Sequence, residues 1–450
     1  DYGSLAWNVN GYWGPEPHHT MDFMLDKIVS DWQANTIRIG LSQVFWLSPY
    51  PECDQYKNLV DELVSNCLER ELNVILDLHY TGANEIELGY HEWGEPIGGR
   101  ICRMPDLYSI EFWNQVANKY KNKPRIFFEI YNEPHHLNGD WSIWKNGGIL
   151  PELADDDWTE DEPSYYAVGM QELVNLIRLP SNVGANNIIL VGGIDWASNL
   201  SGIENGWEIE GENIAYVAHP YEPFPESNNY GDPTCVDWPD EFLGVSKNHP
   251  VIITEFGDRD CGTDFTEIFF YYALKHDLGF TAWCWYWNQE WYDEDNEKLC
   301  RFPTIIKNWD GEPSNLGSLV KYVMENYEYF HENDNYQQFP KCPELSDDML
   351  SFSKYSPIDI VITDPVGDSV GRNINTIAGA TYDVFEILPG DSGAIVTIPY
   401  PIEGIYDVTV IPWPNADANA TYTLISTFGN DTTVFAEDEL ISEIPFQDYA

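Results

Sequence analysis

Two glutamates stand where apolar runs stop. Glu133 closes the stretch Ile126–Pro134, IFFEIYNEP, in which β-forming residues give way to Asn132, Glu133 and Pro134. Glu255 follows the apolar run Pro250–Thr254. A pair of carboxyl groups, one giving a proton and the other an anion, is what hydrolysis through an oxocarbenium-like transition state requires. Either glutamate alone reads as a structural carboxylate at a strand end, so the weight falls on its company. Arg38, His79, His219, Tyr221, Trp196 and Trp285 also fall at or just beyond the ends of apolar runs. They add a cation, imidazoles, a phenol and flat aromatic surfaces of the kind that line ligand clefts. Glu129, one inward-facing step before Tyr131, is the natural partner for Arg38.

Strand-like and helix-like segments alternate to bring these residues together. Strands are expected at Leu5–Val9, Asn35–Gly40, Asn73–Leu78, Arg125–Tyr131, Asn187–Gly192, Asn213–Ala218, Pro250–Thr254 and Gly279–Trp287. Helical spacing marks Met21–Trp32, Tyr56–Arg70, Ser109–Tyr120, Ser164–Ile177, Phe265–His276 and Leu316–Tyr329. Such alternation predicts parallel strands with helical crossovers. Eight nearly continuous apolar strands fit a (β/α)8 TIM barrel better than an open sheet, and VNGYWGPEP lacks the Gly-rich phosphate loop of a doubly wound fold. In a barrel, chemistry sits at the C-terminal strand ends. On this reading Arg38 ends the second strand, His79 the third, and Asn132 and Glu133 the fourth. Trp196 follows the fifth, His219 and Tyr221 the sixth, Glu255 the seventh and Trp285 the eighth.

The texture changes after Tyr336. Residues 336–357 carry three prolines without a period and read as a linker or strap between a catalytic domain at 1–335 and an accessory domain at 358–450. Beyond it, short Val/Ile/Thr/Tyr runs separated by turn signals predict a small all-β sandwich. Its lone tryptophan, Trp413, favours a structural role over sugar binding.

Composition narrows the partner. The 450-residue chain carries 75 acidic against 22 basic residues, a formal charge of −53. That argues against nucleic acid or an anionic membrane, both of which need a basic footprint. No apolar run is long enough to span a bilayer. Spread along the whole chain, the acidity suggests adaptation to salt, which screens self-repulsion. The start at Asp1 suggests an upstream signal peptide already removed and hence a secreted protein; a monomer is expected. Eight cysteines without a close pair argue against structural zinc, and two or three disulfides are plausible in a secreted chain. Cys284, inside an apolar run, reads as a buried free thiol. The acidic clusters 154–162 and 293–297 lack the ligand spacing of a calcium loop and read as solvated surface. The expected reaction needs no metal or other cofactor.

The motifs IYNEPHH, ITEFG, LDLH, AHPY and NTIRI resemble glycoside hydrolase family 5, the cellulase-type retaining β-glycanases, over about residues 1–330. The resemblance implies that Glu133 is the acid/base and Glu255 the nucleophile. It implies that Asn132 binds the sugar 2-hydroxyl, and that Arg38 and Tyr221 keep the nucleophile ionised and oriented. His79 and His219 correspond to two active-site histidines, and Trp285 to the tryptophan beneath the sugar, although Trp283 and Trp287 share its strand and parity. Trp46, Trp93, Trp141, Trp144, Trp196, Trp207 and Trp238 lie in or near loops after strands and are candidate subsite platforms, Trp196 foremost. The expectation is an endo-β-1,4-glucanase acting on a β-linked polysaccharide or oligosaccharide. The alternatives are a β-mannanase of the same family and a carbohydrate-binding protein that has lost turnover.

Overall fold

The computed structural model describes residues 17–340 except 83–84, 87–88, 91–95, 98, 154–162, 222–237, 239–241, 259–261, 288–303 and 333–334. It also describes residues 350–441 except 356–357, 366, 378–379, 389–390, 399–405, 414–419 and 429–430. The expected strand Leu5–Val9, Trp93 and both acidic clusters lie outside the described residues. The chain forms two compact units, Asp1–Pro340 and Lys341–Ala450.

Seven strands of the first unit form one sheet in chain order: β1 (Thr36–Ser42), β2 (Asn73–Tyr80), β3 (Ile126–Glu129), β4 (Ile189–Gly192), β5 (Ile214–Ala218), β6 (Val251–Ile253) and β7 (Gly279–Phe280). Every neighbouring pair is parallel. Helices Pro51–Glu69, Leu107–Tyr120, Met170–Arg178 and Asp264–Lys275 lie on crossovers between them. Arg38 on β1 reaches Glu255 just beyond β6, so the sheet curls on itself as a TIM barrel does.

Register shows how the barrel interior changes character along its axis. Arg38 pairs with Ile75, Gly40 with Asp77, Asp77 with Glu129, and Glu129 with Leu190. One face therefore carries an apolar cluster of Ile75, Leu190, Ala215 and Val217, with Phe127 and Ile252 against it. On the same face, toward the strand ends, stand Asp77 and Glu129. Arg38 lies level with the apolar layer at the third position of its strand, not at the strand end expected from sequence. Its long side chain climbs to the carboxylates, so an arginine rooted in the barrel wall still delivers its charge at the mouth.

Local signals set the flanking helices. Pro51 occupies the first turn of its helix, where its missing N–H costs nothing. Asp106 caps Leu107–Tyr120 by accepting from the Tyr108 and Ser109 amides. That helix buries Phe112, Trp113, Val116, Ala117 and Tyr120, and Trp113 Nε1 donates to the Ile130 carbonyl at 3.0 Å. The helix thereby pins the backbone just before Asn132 and Glu133.

Several elements differ from expectation, the closing helix expected over Leu316–Tyr329 being two, Asn315–Glu325 and Tyr327–Glu332. The helix expected at Ser164 begins at Met170. Tyr165–Ala167 instead pairs with Gly148–Leu150 in a hairpin, as suits two adjacent tyrosines. Met21–Trp32 is an α-helix only to Asp26 and continues as a π-helix over Lys27–Asp31. The last barrel strand keeps pairing only at Gly279–Phe280; beyond Thr281 the backbone leaves the ladder.

The second unit is an antiparallel sandwich. One sheet runs Thr381–Leu388, Asp391–Ile398, Leu350–Tyr355, Thr421–Phe428 and Asp431–Leu440; the other runs Ile374–Asn375, Ser369–Gly371, Ile358–Thr363 and Asp407–Pro412. Phe352, Val396 and Leu424 from the first meet Ile358, Ile360, Ile362 and Val408 from the second in a single core. Leu350–Tyr355 is the central strand of its sheet although it lies within the stretch read as linker; its alternating pattern is short and cut off by Pro357. Lys354 and Arg372 stand over the Trp413 ring, 5.0 and 5.9 Å from its centroid. That places the tryptophan in a cation–π cluster.

Candidate active site

Arg38 is the hub. Its Nε and Nη2 grip both oxygens of Glu129 at 2.6 and 3.0 Å, confirming the expected partner. Nη1 donates to Glu255 Oε1 at 2.6 Å. Nη2 also meets Asn132 Oδ1 at 2.7 Å and Asp77 Oδ2 at 2.9 Å. The rigid five-donor fork of a guanidinium suits this convergence; a lysine could not copy it. Arg38 and all three carboxylates are buried. Burial works against the Arg38 charge, yet Asp77, Glu129 and Glu255 hold its pKa well above the ordinary value. Burial likewise pushes Glu129 up, but Arg38 and the nearby His219 prevail and bring it to about 2. Asp77 is raised, because burial there outweighs Arg38.

Glu255 receives a second donor, the Tyr221 hydroxyl, at Oε2 and 2.7 Å. Burial, then the neighbouring Glu255 and Glu133 charges, raise the Tyr221 pKa well above that of a free phenol, so it stays a donor. With one oxygen held by Arg38 and the other by Tyr221, the Glu255 carboxylate has a fixed plane.

Asn132 is oriented in the same way. Arg38 takes its Oδ1, and its buried Nδ2 finds no acceptor among the described residues. A buried amide donor without a partner is costly, and a ligand hydroxyl would relieve it.

Glu133 follows β3 and keeps 13% of its side chain exposed. Its Oε1 is 3.1 Å from His219 Nδ1. The other ring nitrogen, Nε2, lies 2.8 Å from Thr254 Oγ1, and the Thr254 hydroxyl donates to Glu129 Oε1 at 2.8 Å. Since Thr254 spends its proton on Glu129, it must accept from His219. Nε2 therefore carries hydrogen, and Nδ1 is left to exchange a proton with Glu133. Burial lowers the His219 pKa, but Glu255, Glu129 and Glu133 overcome it and lift it to about 9. Burial raises Glu133, and the His219 hydrogen bond and charge outweigh that and lower it. Below about pH 9 these opposed shifts favour the shared proton on the imidazole. One oxygen of Glu133, one of Glu255 and a nitrogen of His219 lie within 4.8 Å of one another.

His79 donates from Nδ1 to Asp77 Oδ2, 2.7 Å away, and stacks flat against Trp283 with centroids 5.5 Å apart. Trp283, not Trp285, is thus the tryptophan joined to the histidine of the site. Trp285 turns the other way, edge-on to Trp32 at 5.2 Å and against Gly311. Parity alone could not separate the two once the strand ladder had ended.

Trp196 is displayed at the surface, 36% exposed. Asp195, Trp196 and Ala197 all adopt positive φ, 55°, 61° and 57°. Such strain persists only where its surroundings enforce it. Here the Trp196 amide donates to Pro134 O at 3.0 Å, and the indole stacks on His135 at 3.6 Å with the planes 9° apart. His135 in turn contacts Glu133 O through Nδ1 at 2.7 Å, and burial brings its pKa down to about 4. Of the other candidate platforms, Trp46, Trp141, Trp144 and Trp238 are buried and pack in the core, while Trp207 is half-buried. Asp77, Thr254 and His135 were missed as site residues, and Trp283 was named only as sharing the strand and parity of Trp285. Asp77 shares the inward parity of His79, which could have flagged it; nothing in the type or spacing of Thr254 does. The free thiol expected at Cys284 is present and buried, and Cys67 is another; burial pushes both up to about 12.

Two carboxyl groups this close, with an imidazole beside both and an unpaired amide donor at the mouth of a parallel barrel, place the chain among glycoside hydrolases. Residues 4–289 match the family model described as cellulase (glycosyl hydrolase family 5), and the chain belongs to that family. An endoglucanase of Paenibacillus polymyxa is 27% identical over 317 residues, covering 62% of this chain and 71% of the relative. Endoglucanase Z of Dickeya dadantii is 26% identical over 220 residues, 48% of this chain and 40% of that one. A solved β-glucanase of Saccharophagus degradans aligns with a TM-score of 0.47 and 24% identity, over 68% of this chain and 82% of its own.

Proposed function

We propose that the protein is a retaining endo-β-1,4-glucanase in which Glu255 is the nucleophile and Glu133 the acid/base. The observation that carries this is the approach of the two carboxyl groups to within 4.8 Å. Retaining enzymes need about 5–5.5 Å, whereas inverting ones need about 6.5–9.5 Å to admit a water. In the first step Glu255 attacks the anomeric carbon and the glycosidic C–O bond breaks. His219 passes its Nδ1 proton to Glu133, which hands it to the leaving oxygen and is left as the carboxylate. Glu255 is foremost among the charges that hold the proton on His219. Conversion of Glu255 to an ester removes that charge, so nucleophilic attack itself loosens the proton to be donated. In the second step Glu133 takes a proton from water, which attacks the same carbon and frees Glu255 with configuration retained. The unpaired Asn132 Nδ2 meets the sugar 2-hydroxyl, Trp283 lies beside the reacting sugar, and Trp196 offers a stacking face beyond the scissile bond.

Relatives named endoglucanases support β-1,4-glucan as the substrate. Carboxymethylcellulose and mannan assayed side by side should show release of reducing ends from the former. Glu133→Gln and Glu255→Gln should each nearly abolish it. With azide, an alanine at position 255 should yield a glycosyl azide of inverted configuration. A product of retained configuration would reassign the nucleophile, and absence of turnover in the unmodified protein would favour a binding role.

A further inference from the structure

A second cluster of ligating side chains lies apart from the catalytic groups. His18 Nε2 and His19 Nε2 both point at Asp310 Oδ1, at 2.9 and 3.2 Å. All three ligand atoms lie within 4.8 Å of one another. His19 is buried, whereas the side chains of His18 and Asp310 are about half exposed. Two imidazole nitrogens converging on a single carboxylate oxygen is more than a tether requires, since one hydrogen bond would join the segments. Zn–N and Zn–O bonds of about 2.0–2.2 Å place neighbouring ligands of a tetrahedral ion about 3.3 Å apart. The two N···O separations already approach that edge length. Both platforms are set in place. Phe23 flanks His18 and His19 with centroids 5.2 and 5.8 Å away. Asn308 Oδ1 accepts from the Asp310 and Glu312 amides at 3.1 and 3.2 Å, holding the loop that carries Asp310.

We propose that His18, His19 and Asp310 form a binding site for a borderline divalent transition ion, of which Zn²⁺ is the representative, with the remaining coordination position open to water. Two nitrogen donors and one oxygen select Zn²⁺ over Mg²⁺ or Ca²⁺, which prefer all-oxygen sets. The bound ion would join residues nearly three hundred positions apart in the chain. It would also stiffen the turn at Gly311, whose carbonyl accepts from Trp32 Nε1 at 3.2 Å and whose Cα faces the Trp285 ring.

The test is calorimetric titration of the metal-stripped full chain with Zn²⁺. One equivalent should bind, a tenfold excess of Mg²⁺ should not displace it, and the thermal midpoint should rise. His18→Ala and Asp310→Asn, both at exposed side chains, should weaken binding by at least about tenfold, since altering even the outer partners of ligands costs about that much. Glu133→Gln must leave the uptake intact, which separates this site from the catalytic carboxylates. Absence of Zn²⁺ binding, weakening of less than threefold in both surface variants, or loss in Glu133→Gln would each overturn the assignment.

Discussion

Thr254→Val removes a hydroxyl from a residue that touches no substrate, and the geometry says what should follow. Thr254 is 1% exposed, and valine fills the same space, so no cavity forms. Two hydrogen bonds disappear: the one donated to Glu129 Oε1 at 2.8 Å and the one accepted from His219 Nε2 at 2.8 Å. A hydrogen bond to a charged group contributes about 1.5–3 kcal/mol, and an orphaned buried donor costs about 1–3 kcal/mol. His219 Nε2 can recover part of this by closing the 3.6 Å gap to Glu129 Oε1. The larger effect is on the tautomer. Without Thr254 as acceptor, neutral His219 is free to carry its hydrogen on Nδ1, where it can no longer take a proton back from Glu133. A loss of about 2 kcal/mol in the transition state corresponds to about a 30-fold fall in kcat, with KM little changed because the substrate-binding groups are untouched. Thr254→Ser retains the hydroxyl and should stay within about threefold of the parent. The assay is kcat and KM on carboxymethylcellulose across pH 4–9, with circular dichroism confirming the fold. If Thr254→Val turns over within about twofold of the parent with an unaltered pH profile, the proton relay through His219 is wrong.

The buried charges also set a stability window. Glu129, held at about 2 against an ordinary 4.5, contributes stability that is present above pH 4.5 and lost as pH falls toward 2. His219, raised to about 9 from 6.5, contributes stability that is full below pH 6.5 and lost as pH rises through 9. Each is about 3 kcal/mol by proton linkage, so urea midpoints should be flat between pH 4.5 and 6.5 and fall on both sides; equal midpoints at pH 6 and pH 9.5 would contradict this. Trp283→Ala should lower kcat/KM at least tenfold, whereas Trp285→Phe should lower thermal stability and leave kcat/KM within threefold; kinetics and melting of the pair check both. A formal charge of −53 should make stability rise as sodium chloride is added from zero to 1 M, and a midpoint independent of salt would show that the acidity is not self-repulsive.

Barrel, sandwich and most of the site were legible because they rest on patterns local to the chain: apolar runs of strand length, the alternation with helices, and polar residues placed where the runs stop. What escaped notice has two physical origins. The first is reach. Arg38 sits two residues into its strand, level with Ile75, and only the length of its side chain carries it to Glu255; position along a strand is a poor guide for long residues. The second is the loss of periodicity where a ladder ends. Pairing of the last strand stops at Phe280, so the alternation that would class Trp283 and Trp285 together no longer constrains them, and they face different neighbours. Thr254 shows a deeper limit. Its type and spacing are those of any strand residue, and its role exists only because a histidine from β5 and a glutamate from β3 arrive on either side of its hydroxyl. Residues that bind or react advertise themselves by chemical type; residues that merely set the direction of a proton are defined by their neighbours, and those neighbours meet only after folding.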